Sequence, residues 1–177
     1  MTTAHTGLEL YSQTADDAAA AVISRYSTSF GIATRLLGAR PRPHVRNVYA
    51  LVRVADEIVD GPAHDAGLTP ERERAVLDGL ENEVMDAIAT GFSANLIVHA
   101  FARTARECGI GADLIAPFFA SMRTDIDTAA HDDLSHDAYV YGSAEVVGLM
   151  CLQVFLNAGM SAPARPAAGL VDGARRL

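Results

Sequence analysis

An all-α fold is predicted by three features of this 177-residue chain. Apolar residues recur at helical spacing over long stretches, as in Leu77, Leu80, Val84 and Ile88. Nowhere do apolar and polar residues alternate for long enough to make a half-buried strand. Alanine is abundant, Trp is absent and aromatics are 6% of the residues, which suits close packing of helices through small side chains. The length allows one domain with a real core, and no repeat or low-complexity block divides it.

Residues 1–13 are polar and unpatterned and read as a loose N-terminus, with the helical domain spanning 14–177. Thr14 followed by Asp16 and Asp17 has the form of a helix start: a hydroxyl cap, then acids where the helix dipole favours them. The first helix is expected from Asp16 to about Leu37, stopping near Gly38. Its later part carries Tyr26-Ser-Thr-Ser-Phe30, rich in hydroxyls for a helix interior. Ala39-Arg-Pro-Arg-Pro43 is a stiff connector, with Pro43 as the first residue of a second helix that runs to Val59 and is broken by Gly61-Pro62. Thr69-Pro-Glu-Arg-Glu73 caps a third helix, Pro70 to Thr90. A fourth covers about Ala94 to Cys108 and stops at Gly109. A fifth begins at Asp113 and leads into Met122-Arg-Thr-Asp-Ile-Asp127. A polar loop at 131–136 precedes a sixth helix from about His136 to Ala158, and a last helical start runs from Ala167 to Leu177.

The second helix holds the chemistry. Tyr49, Arg53, Asp56 and Asp60 step by four, three and four residues, so on a helix they form one strip about 60° wide. Val45, Val48, Val52, Ala55 and Val59 flank the strip and should meet a core. A Tyr, an Arg and two Asp at the edge of a core face are costly to bury unless they bind something. A divalent cation carrying an anionic ligand fits that set.

Composition narrows the partners. A net charge of −8 and a pI near 5.1 argue against broad binding to a nucleic-acid backbone. All fourteen basic residues are Arg, so any phosphate must be held by Arg, by hydroxyls or by a metal. Cys108 and Cys151 lack metal-ligand spacing and read as reduced thiols of a cytoplasmic protein. No export signal is visible at the N-terminus, and the longest apolar run, Val146 to Leu156, is too short to cross a bilayer. No basic amphipathic anchor is visible, so any membrane contact is expected to be peripheral.

Taken with Tyr26-Ser-Thr-Ser-Phe30, the Tyr49–Asp60 block resembles the squalene/phytoene synthase family. The resemblance continues through Met122-Arg-Thr-Asp125 and through Tyr139-Val-Tyr-Gly142 to Met150, so that four blocks match in order. It implies an isoprenoid-synthase-type helical bundle and a head-to-head prenyltransferase. Such enzymes join two prenyl diphosphates through a cyclopropyl diphosphate, with Mg²⁺ as the cofactor. By that resemblance Asp56 and Asp60 are the metal ligands, and Arg53, Ser27 and Ser29 hold the diphosphate. Tyr49, Arg53 and Tyr141 are the catalytic candidates, with the tyrosines lining the pocket where a carbocation forms. Tyr26, Phe30 and Asp125 are further members of the matched blocks. Tyr139 and Tyr141 are two residues apart and cannot share a helix face, so at most one lines a cavity. The first expected reaction is geranylgeranyl diphosphate to phytoene, in carotenoid biosynthesis; farnesyl diphosphate to squalene comes next.

Two departures qualify the resemblance. Glu145 stands where the family has a small residue. The family's second aspartate-rich motif is not found, and Asp172 is an isolated acid in what looks like the lead-in to it. The resemblance therefore covers the N-terminal part of the family fold, with the C-terminal helices missing. A catalytically incompetent fragment is the alternative expectation, or a subunit whose partner chain supplies those helices.

Overall fold

Seven helices and no strand occupy the described residues of the computed structural model, which are 6–26, 34, 36–127, 145–160 and 169–170. They are α1 (Gly7–Tyr26), α2 (Pro41–Val59), α3 (Pro62–Asp65), α4 (Pro70–Thr90), α5 (Leu96–Cys108), α6 (Ala112–Asp127) and α7 (Val146–Asn157). The all-α expectation holds for these residues.

The N-terminal expectation needs correction. Helix α1 starts at Gly7 rather than Asp16, so most of the supposed loose stretch is helical. The reason is a reciprocal cap at Thr6-Gly-Leu-Glu9. The Glu9 backbone N–H donates to Thr6 Oγ1 at 3.2 Å, and the Thr6 N–H donates to a Glu9 carboxylate oxygen at 2.7 Å. Thr14 is an interior residue whose hydroxyl donates back to the Leu10 carbonyl at 2.8 Å. Helix α2 begins two residues earlier than expected, at Pro41 with Arg40 as its N-cap. Pro43 is tolerated in that first turn, because the N–H groups there have no helical acceptor in any case.

Downstream boundaries follow their chemistry. Helix α4 ends on Gly91 at φ 87°, and α5 ends on Gly109 at φ 74°, both left-handed C-caps. Asn95 caps α5 by accepting from the N–H groups of Ile97 and Val98. Arg106 of α5 donates to the Ile88 carbonyl at 2.7 Å, satisfying the C-terminal end of α4.

Helix α2 is the hub, packing against all six other helices. Its buried residues Val45, Val48, Leu51, Ala55 and Ile58 enter the main core with Leu77 and Val84 of α4, Phe101 of α5, Phe118 of α6 and Met150 of α7. On another side Ala50 meets Ala15 and Ala19 of α1 and Ala100 of α5, all buried. Side chains this small let three helix backbones approach closely. Asn47 is buried in the same region and donates to Asp16 Oδ1 at 2.9 Å and to Thr104 Oγ1 at 3.1 Å. Asp16 in turn accepts from Arg103 at 3.2 Å. Thus α2 is held from both an apolar and a polar side.

Candidate functional site

The last two turns of α2 carry Arg53, Asp56 and Glu57, with Asp60 as the C-cap. Its backbone N–H donates to the Asp56 carbonyl at 2.8 Å. Helix geometry therefore leaves Asp56 and Asp60 one turn apart, as their spacing implied. The last turn has two acids and no basic residue. Acids at this end oppose the helix dipole, so the local stability of α2 does not account for them.

Asp56 is partly buried, and its carboxyl is pushed up to about 6. Burial is the main cause, and the charge of Asp60 is the next. Arg53 acts in the opposite direction, while Asp125 and Glu57 add further repulsion. Asp125 lies on α6, so two helices bring negative charge to bear on one partly dry carboxylate. Among the described residues no three His, Cys, Asp or Glu side chains close on a single point in a metal-holding arrangement.

Arg53 lies between two carboxylates of its own helix. Its guanidinium pairs with Glu57, while its Nη1 stays 3.9 Å from Asp56 Oδ2. The same guanidinium lies 4.7 Å from the centre of the Tyr26 ring, a cation–π contact from the end of α1. Arg53 is thus held by one aromatic and one carboxylate beside the Asp pair. Glu57 is a residue that the sequence reading missed. The signal was its place four residues after Arg53, where helix neighbours meet.

Tyr49 is half-buried and packs against the main core. Burial first, and then Cys151 of α7, push its phenol up to about 12, so it stays neutral across the physiological range. Cys151 is likewise raised to about 12 by burial, which makes it a neutral wall residue rather than a thiolate. Cys151 carried no signal in the sequence beyond its apolar setting. Cys108 and Cys151 are both free thiols.

Of the residues singled out from the sequence, the structure brings together Tyr26, Arg53, Asp56, Asp60 and Asp125, with Tyr49 on the core side of α2. Ser27, Ser29, Phe30, Tyr139, Tyr141, Asp172 and the 131–136 loop lie outside the described residues. The donor set that remains is hard carboxylate oxygen, of the kind Mg²⁺ prefers. The mutual repulsion at Asp56 is of the kind a divalent cation relieves.

No curated protein matches the chain. Among solved structures it is similar to a dehydrosqualene synthase crystallised in complex with ligand, with a TM-score of 0.68 and 23% sequence identity. The match covers 82% of this chain and 48% of that one, so the chain spans about half the length of the structure it resembles. That likeness places the helices in the same fold. The family model for squalene/phytoene synthase matches residues 23–171, the greater part of the sequence, and the chain belongs to the squalene/phytoene synthase family.

Proposed function

We propose that this chain binds the diphosphate of an allylic prenyl substrate at Asp56 and Asp60 and serves the head-to-head condensation of two such substrates. One observation carries the reading: Asp56 is partly buried among acids from two helices, with Arg53 held beside it. That field repels anions unless a cation is present and attracts a divalent cation strongly. Asp56 and Asp60 would hold Mg²⁺, with waters completing its shell. When bound, Mg²⁺ supplies positive charge to the leaving pyrophosphate. Arg53 adds donors for phosphate oxygen, and Ser27 and Ser29 are proposed to share that load. Tyr49, kept neutral, and Tyr141 are proposed to face the carbocation, where an aromatic ring stabilises positive charge and gives no nucleophile. The apolar residues of α7 are proposed to keep water from the cation.

The family points to a cyclopropyl diphosphate intermediate, and geranylgeranyl diphosphate to phytoene is the preferred reaction over farnesyl diphosphate to squalene. Incubating the purified chain with Mg²⁺ and each diphosphate, then separating the hydrocarbons, tests this. A product from farnesyl diphosphate with none from geranylgeranyl diphosphate would reverse the substrate assignment.

A second reading is favoured by the match to about half the length of the dehydrosqualene synthase structure. In that reading the chain binds diphosphate, but turnover needs carboxylates from a partner chain. Mg²⁺-dependent binding of a prenyl diphosphate without product by the chain alone supports it. Robust turnover by the chain alone excludes it.

A further inference from the structure

We propose that Glu57 is a positioning residue for the diphosphate: it holds the Arg53 guanidinium beside Asp56 rather than on it. The proposal rests on the diphosphate reading of the site. Arg53 stands three residues before Asp56 and four before Glu57, so either acid can reach it on the helix. In the structure it chooses Glu57. Nη2 pairs with Glu57 Oε1, while Nη1 is 3.9 Å from Asp56 Oδ2, beyond hydrogen-bond distance. Tyr26 lies against the guanidinium at 4.7 Å. Arg53 Nε and Glu57 Oε1 are both buried and neither has a hydrogen-bond partner among the described residues, so Glu57 holds the guanidinium as an ion pair.

The pair has no good reason to exist for helix stability. An Arg preceding a Glu by four residues is the weaker orientation of such pairs, and Glu57 sits at the helix end that disfavours acids. Its effect on the site is clearer. A direct Arg53–Asp56 pair would neutralise the carboxylate and occupy the donors at once. With Glu57 taking Nη2 and Tyr26 supporting the flat face, Asp56 stays open to a cation. Nη1, 3.9 Å from Asp56 Oδ2, is left without a close carboxylate and can turn to an anion.

Titration calorimetry of the full chain with inorganic pyrophosphate in the presence of Mg²⁺ tests the proposal. Glu57→Ala is expected to weaken binding about tenfold, the loss of one charge-assisted contact's worth of ordering. Glu57→Gln keeps an oxygen acceptor for Nη2 and is expected to recover most of the affinity. In an Arg53→Ala background, Glu57→Ala is expected to cost nothing further, because its effect runs through Arg53. If Glu57→Ala does not fold, Glu57→Asp replaces it: the charge remains but the reach is shorter, and weakening is again expected. Binding by Glu57→Ala as tight as wild type, or tighter, overturns the positioning role, since simple removal of a like charge near pyrophosphate gives that result. A loss that persists without Arg53 overturns it as well. Failure of the wild-type chain to bind Mg²⁺ and pyrophosphate overturns the diphosphate reading itself, and the proposal with it.

Discussion

The fold resists the charge of both Asp56 and His99, and the two make opposite demands on pH. Asp56 is raised from 3.8 to about 6, so the folded chain holds this proton more tightly than the unfolded chain. Its contribution to stability is full below 3.8 and is lost as pH rises through 6. At neutral pH the ionised carboxylate works against the fold. Asp56→Asn is therefore expected to stabilise the chain by about 1 kcal/mol, the shift being discounted for solvent screening of a partly exposed group. It should raise Tm while removing Mg²⁺-dependent pyrophosphate binding in calorimetry, and intact binding would take Asp56 out of the metal ligands. His99 is buried, its Nε2 lies 3.0 Å from Ser12 Oγ, and its Nδ1 has no hydrogen-bond partner among the described residues. Burial and then Arg103 hold it below the ordinary 6.5, against Asp16. Its contribution is present above 6.5 and is lost as pH falls through the lower folded value. Against a His99→Gln variant, the wild-type advantage in urea unfolding should shrink between pH 7 and pH 5; an advantage that grows on acidification would show that His99 is protonated in the fold. The Asp56–Asp60 spacing is legible in the sequence because helix geometry converts it directly into a shared face. The field at Asp56 is not, because Asp125 contributes from another helix.

At the scale of elements, α2 is held by what its non-functional faces touch. Ala50, Ala15, Ala19 and Ala100 form the contact of α1, α2 and α5, and each is fully buried. A larger side chain there has no space to enter and must separate the helices. Ala50→Leu is expected to destabilise by about 1–3 kcal/mol, read as a fall in Tm. An unchanged Tm would mean that the alanine contact does not clamp α2. The helices themselves are largely legible: the start at Pro70, the stop at Gly91 and the stop at Gly109 are local signals that the backbone obeys, although the Thr69 hydroxyl makes no capping bond. Helix α1 shows how two local signals compete. Thr6…Glu9 and Thr14…Asp17 both look like starts, and the first prevails because α1 also has tertiary partners before Asp16. Tyr11 donates from its hydroxyl to the carbonyls of Ser93 and Ala94, both at 2.9 Å, and its ring packs on Phe92 and His99. Those partners lie far along the chain and leave no trace in the local pattern.

At the scale of the whole molecule, α6 is hung between two other helices. Arg123 and Asp125 are two residues apart and so face different ways. Arg123 reaches α4, where it donates to Asp78 at 2.7 Å and pairs with Glu81. Asp125 acts on Asp56 of α2. The end of α6 is thereby tied to α4 on one side while presenting a carboxylate to α2 on the other. The matched family block, Met122 to Asp125, made Asp125 visible as a candidate. Its approach to Asp56 is visible only in the fold, which joins residues from separate parts of the chain. The two roles separate in experiment. Arg123→Ala removes a twofold anchor between helices and leaves Asp78 and Glu81 unpaired, so it should cost about 1–2 kcal/mol of stability. It should also weaken Mg²⁺-dependent pyrophosphate binding severalfold, because Asp125 is no longer held opposite α2. Asp125→Asn should weaken that binding, since it removes one negative charge that acts on Asp56. Chemical denaturation and calorimetry on both variants decide the matter. Binding that survives Arg123→Ala but not Asp125→Asn would show that α6 needs no anchor. Binding indifferent to Asp125→Asn would leave the cation to α2 alone.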